Sequence, residues 1–67
     1  SFFDFVNAVR IDAASRQLIE DPDRTILDIA TGVGFNSKST FNLAFKKITG
    51  KTPTAFRDEN LFKSQNS

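Results

Sequence analysis

Apolar positions recur along this chain at helical spacing, and glycines, prolines and polar runs cut them into segments. The clearest punctuation lies between Thr25 and Arg57, TILDIATGVGFNSKSTFNLAFKKITGKTPTAFR. Thr25 is a favoured N-cap, with Asp28 three residues on as in a capping box. Ile26, Leu27, Ile29 and Ala30 supply the apolar side of a helix over 26–31. Small Ala30 suits a close helix crossing. Gly32 and Gly34 end that helix. Gly34 is expected at positive φ, and Phe35 is expected to plug the corner. A second helix is expected over 37–48, capped by Asn36 or Ser37, with Gly50 at the C′ position. At about 100° per residue, Phe41, Ala44, Phe45 and Ile48 fall within about 100° of one another and form a core stripe. Ser39, Leu43 and Lys46 lie opposite, flanked by Lys38, Asn42 and Lys47. A third helix over 53–60 is capped by Thr52 and begins with Pro53, where the missing N–H costs nothing. Ala55, Phe56 and Leu61 are expected to pack it back on the core. Two short helices meeting at a glycine turn form a helix-turn-helix pattern.

Residues 2–20 read as a long helix without internal Gly or Pro. It carries two apolar stripes. Phe2, Phe5, Val6, Val9 and Ala13 cluster on one side, and Phe3, Ile11, Ala14 and Leu18 on another, about 140° away by the same arithmetic. One neighbour needs one stripe, so two stripes predict burial on two sides. The downstream helices can cover only one. The chain is therefore expected to be a fragment, or to associate. Glu20-Asp21-Pro22-Asp23-Arg24 is the connection, since Pro22 keeps Asp21 out of the helical region. Asp21, Asp23 and Thr25 have alternating spacing, but the glycine and bidentate Glu that a calcium loop requires are absent. Asn60 to Ser67 is polar and expected to fray, with Leu61 and Phe62 docking first.

Sixty-seven residues make one small domain with a marginal core. Eight phenylalanines, with no Trp or Tyr, mark a core of large apolar rings. The absence of Cys and His removes disulfides, thiolates and the commonest metal ligand and general base. No metal site or cofactor is predicted. No apolar run approaches the roughly 18 residues of a membrane span. Net charge is only +1, but its distribution is uneven. Residues 1–30 hold three cations (Arg10, Arg16, Arg24) and six anions, giving −3. Residues 31–67 hold six cations (Lys38, Lys46, Lys47, Lys51, Arg57, Lys63) and two anions (Asp58, Glu59), giving +4. The positive half contains the helix with the small polar and cationic face.

The run Ile29-Ala30, Gly34-Phe35, Ser37, Ser39, Phe41, Phe45-Lys46-Lys47, Gly50, Thr52-Pro53, Arg57 resembles the signature of the AraC/XylS family of bacterial transcription regulators. Its end, Gly50-Lys51-Thr52-Pro53-Thr54-Ala55-Phe56-Arg57, has that family's closing form. The strict match covers about half the chain, and many positions agree at fixed spacing. It extends upstream through Phe3, Val6, Arg10 and Ala14, which resemble the family's linker helix. The resemblance implies an all-α, homeodomain-like helix-turn-helix bundle of four helices. Residues 1–20 would be the linker helix, 25–49 the second helix-turn-helix unit and 52–62 the C-terminal helix. It further implies a bacterial, cytoplasmic regulator whose first helix-turn-helix and sensor domain lie outside this sequence. Double-stranded DNA is the implied partner, with the missing first unit and RNA polymerase as others, and no membrane contact.

On the exposed face of the second helix, Lys38, Ser39, Asn42 and Leu43 are the candidates for base edges in a major groove. Lysine donates to guanine, asparagine pairs bidentately with adenine, and serine is adaptable. Leu43, where the family usually carries arginine, is either a thymine-methyl contact or a lone exposed leucine. Candidates for phosphate are Thr25, Thr40, Lys46, Lys47, Lys51, the helix N-terminus at Pro53, and Arg57. Lys46, Lys47 and Lys51 are alternatively solvated cations near a helix C-terminus. Arg57 is alternatively one half of a structural ion pair. Arg10 lies between the two apolar stripes and is expected to cap or pair internally. The competing reading is a protein–protein or dimerisation module using the apolar stripe of residues 2–18. An enzyme has little behind it, since adjacent Asp58 and Glu59 do not face one another on a helix.

Overall fold

A computed structural model describes residues 1–66, with side chains through Lys63. The described residues form four helices: α1 Phe2–Glu20, α2 Ile26–Gly32, α3 Lys38–Thr49 and α4 Pro53–Asn66. Each start has a side-chain cap. Ser1, Thr25, Ser37 and Thr52 accept the backbone N–H of Asp4, Asp28, Thr40 and Ala55, at 3.1–3.3 Å. Two glycines in positive φ make the turns. Gly34 (φ 109) ends the α2 segment, where the Phe35 N–H reaches back to the Ala30 carbonyl at 2.9 Å. Gly50 (φ 81) ends α3, its N–H on the Lys46 carbonyl at 2.8 Å.

The core is built from Ile11, Ala14 and Leu18 of α1, Ile26, Ile29 and Ala30 of α2, Phe35 in the turn, and Phe41 and Phe45 of α3. Four rings form a continuous stack. Phe35–Phe41, Phe41–Phe45 and Phe45–Phe56 have centroids 5.4–5.6 Å apart in tilted or edge-on arrangements. This ladder fixes α3 between the turn and α4.

Several expectations need correction. α4 runs to Asn66, beyond the end expected near residue 60. It meets no Gly or Pro after Pro53, and Lys63 pairs with Glu59 one turn back at 3.1 Å. Leu61 is half-buried and Phe62 largely exposed, while Ser67 and the side chains of residues 64–66 lie outside the described residues. Ala55 is exposed because it sits about 150° from the α4 side that buries Pro53 and half-buries Asn60. Leu27 is 52 % exposed because a helix this short presents only one face inward, which Ile26, Ile29 and Ala30 occupy. Ile48 is 46 % exposed at the rim of the bundle.

Helix α1 buries most of one stripe and leaves the other partly open, with Val6 and Ala13 half-buried. Ile11, Ala14 and Leu18 are buried, whereas Phe2, Phe5 and Val9 are exposed. Phe3, expected on the buried stripe, is 76 % exposed. The last turns of α3 approach α1 beside Asp4, Asn7 and Ala8 instead, where a shallow groove of about 270 Å³ also takes in Ala44, Lys47 and Ile48. That approach leaves Phe3 on the uncovered flank. No described helix is long and apolar enough to cross a membrane.

Candidate nucleic-acid interface

Helix α3 turns Phe41 and Phe45 inward, so Ser39, Leu43, Lys46 and Lys47 must face solvent. Leu43 is 75 % exposed at the middle of that face. Lys38 and Thr40 are exposed in the first turn. Asn42 is half-buried, and its amide makes no hydrogen bond among the described residues. The helix packing holds its stem and leaves its donor and acceptors open. The Ser37 hydroxyl both caps α3 and donates to Thr40 Oγ1 at 3.0 Å. Thr40 is thus held by its acceptor side, with its own proton free to donate outward.

The charges divide sharply. Arg16 pairs with Asp12, Arg24 with Asp28, Lys51 and Lys63 with Glu59, and Arg57 with Asp58. Arg10 lies over the Phe35 ring, its guanidinium carbon 5.8 Å from the centroid. Among the described residues, the cations left with neither an ion pair nor a ring partner are Lys38, Lys46 and Lys47. All of them are on α3, which carries no acidic residue. No ion pair among the described residues therefore offsets the positive charge of this face.

The other phosphate candidates are less free. Lys51 is half-buried and bonded to Glu59, whose carboxyl is held below its ordinary value, first by the Lys51 hydrogen bond and then by that of Lys63. Arg57 is half-buried and reaches the Arg24 carbonyl at 3.4 Å, tying α4 to the turn before α2. Pro53 is fully buried and has no N–H, so any phosphate contact at this helix end falls to its neighbours. Thr25 is exposed and occupied as the α2 cap through its acceptor side. The α3 candidates thus share one solvent face, with Lys38 beside it, while Lys51, Pro53 and Arg57 are engaged in the fold.

Sequence reasoning missed two features. Arg10 neither caps nor pairs with an acid; it stacks on Phe35 and lies against Gly34, where a Cβ would stand 3.0 Å from its Nε. Glu59 neutralises Lys51 across the α3–α4 turn. The Glu59–Lys63 spacing was visible in sequence, but the pair with Lys51 depends on how that turn folds. Among the described residues no group of three or more His, Cys, Asp or Glu is placed to hold a metal ion.

A family model described as a helix-turn-helix domain matches residues 1–59. The melibiose operon regulatory protein of Escherichia coli K12 is 42% identical over 53 residues, 79% of this chain and 17% of its own length. The probable transcription factor PqrA of Proteus vulgaris is 40% identical over 55 residues, 82% of this chain and 44% of its own. A putative AraC-like transcription regulator of Streptomyces lividans is 37% identical over 54 residues, 81% of this chain and 17% of its own. The matched part of the chain thus spans less than half the length of each of these relatives. No solved structure matches.

Proposed function

The chain belongs to the AraC/XylS family of bacterial helix-turn-helix transcription regulators, and on that footing we propose that α3 enters the major groove of double-stranded DNA. The single observation behind this placement is that the cations left with neither an ion pair nor a ring partner among the described residues lie on α3 beside small polar groups. Lys38, Ser39, Asn42 and Leu43 face base edges. Thr40, Lys46 and Lys47 hold phosphates, with Thr25 and the α4 start flanking them. Lys51 and Arg57 contribute less, because each must leave an internal partner to reach DNA.

Helix α1 acts as the linker between this unit and a first helix-turn-helix of the full protein, which would cover Phe2, Phe5 and Val9. The greater length of the relatives supports that arrangement, together with a sensor domain and a contact to RNA polymerase in the whole regulator. The chain binds rather than catalyses, in the bacterial cytoplasm, and needs no cofactor. One reading helix with about five phosphate contacts is weak at physiological salt. The isolated chain should bind duplex DNA with little sequence preference.

The test is binding to random-sequence duplex DNA across a salt series. Affinity should fall steeply with salt, and Lys46→Ala/Lys47→Ala should flatten the slope by about two, about one per lost phosphate contact. No binding even at low salt, or a slope the double variant leaves unchanged, would overturn the placement of α3.

A further inference from the structure

We infer that Leu43 reads the 5-methyl group of thymine, so that the α3 unit prefers a target with thymine under the middle of the helix. The inference rests on α3 lying in the major groove. Two exposed apolar regions of this protein differ in their surroundings. Phe2, Phe5 and Val9 on α1 stand beside one another and form a stripe. Leu43 stands alone. Ser39 lies one turn before it, Lys46 and Lys47 lie one turn after it, and Asn42 is beside it.

An apolar protein partner would have to strip water from those cations to reach Leu43, at a cost one leucine does not offset. A major groove has the matching pattern. Its floor carries polar base edges and one kind of apolar group, the thymine methyl, and its rims are phosphates. Lys46 and Lys47 suit the rim, Ser39 and Asn42 suit the base edges, and Leu43 suits the methyl. Asn42 supports the same composition, because its unbonded amide fits adenine.

The experiment uses a short alternating adenine–thymine duplex and the same duplex with uracil in place of every thymine. The exchange removes only the methyl groups, and the repeat presents a methyl in every register. At low salt the wild-type chain should bind the thymine duplex about fourfold more tightly, the worth of burying one methyl-sized group. Leu43→Ala should bind both duplexes equally and match the wild type on uracil. Leu43→Met, which keeps an apolar side chain, should retain part of the preference.

Equal binding of both duplexes by the wild type, still weakened by Lys46→Ala/Lys47→Ala, would refute the methyl contact and leave the α3 interface standing. A preference that persists in Leu43→Ala would assign it to duplex shape and also refute the contact. No salt-sensitive binding to either duplex would remove the interface itself, and the methyl contact with it.

Discussion

Helices α3 and α4 lie side by side, both carry cations, and their charges have different fates. On α3, Lys46 and Lys47 form no ion pair among the described residues, although Lys47 lines the same groove as Asp4. Around α4, Glu59 takes both Lys51 and Lys63, and Arg57 bends back to the Arg24 carbonyl. By charge count both segments belong to the same positive half of the chain. By structure, one keeps its field for a partner and the other consumes it internally. A local excess of lysine therefore identifies a binding face only where the fold does not pair it with a carboxylate.

The most drastic way to break the comparison is to remove the frame that holds α3. Phe41 is fully buried in the middle of the ring ladder. Phe41→Ala should cost about 3–5 kcal/mol. In a domain of this size that is about all the stability one core supplies. Circular dichroism with urea titration should show a largely unfolded chain.

A smaller perturbation separates the two glycine turns. A Cβ at Gly34 meets positive φ and the Arg10 guanidinium together, whereas at Gly50 it meets positive φ and open space. Gly50→Ala should cost about 1–2 kcal/mol from the backbone alone. Gly34→Ala should cost more, because Arg10 must also shift from the Phe35 ring. Equal costs in urea melts would show that Arg10 yields freely.

The comparison itself is sharpened by Lys51→Ala beside Lys46→Ala/Lys47→Ala. The pair should lose DNA affinity and salt slope, and Lys51→Ala should change the slope by well under one unit. A full unit lost with Lys51 would mean that DNA displaces Glu59.

The smallest effect concerns Glu59. Its carboxyl is held below its ordinary value of 4.5, so in the acid range the unfolded chain binds more protons than the folded one. The stabilisation is complete above pH 4.5 and is lost as pH falls through the lowered folded value. Glu59→Gln should flatten that part of a melting-temperature profile against pH. At neutral pH it should slightly strengthen DNA binding by freeing Lys51.

Much of the architecture was legible because it is written in local chemistry. Thr25 and Thr52 cap the helices they are expected to cap, Ser37 is the one of Asn36 and Ser37 that caps α3, and Gly34 and Gly50 take positive φ. Each of these features depends on residues within four positions. The polar and cationic face of α3 was legible for the same reason, since burying Phe41 and Phe45 fixes where Ser39, Leu43 and Lys46 point. The apolar positions Phe3, Leu27, Ile48 and Ala55 were misplaced because helical periodicity gives a side and not the extent to which a neighbour covers it.

The sequence by itself determined the helices, their caps, the glycine turns and the chemistry of the α3 face, because each follows from short-range hydrogen bonding and the helical repeat. Only the tertiary structure decided which α1 stripe is buried, where Arg10 rests, and which cations remain free. Those outcomes depend on groups distant in sequence meeting across helices: Arg10 on Phe35, Arg57 on the Arg24 carbonyl, and Glu59 on Lys51. Helical spacing fixes none of these meetings; the packing of the ring ladder does.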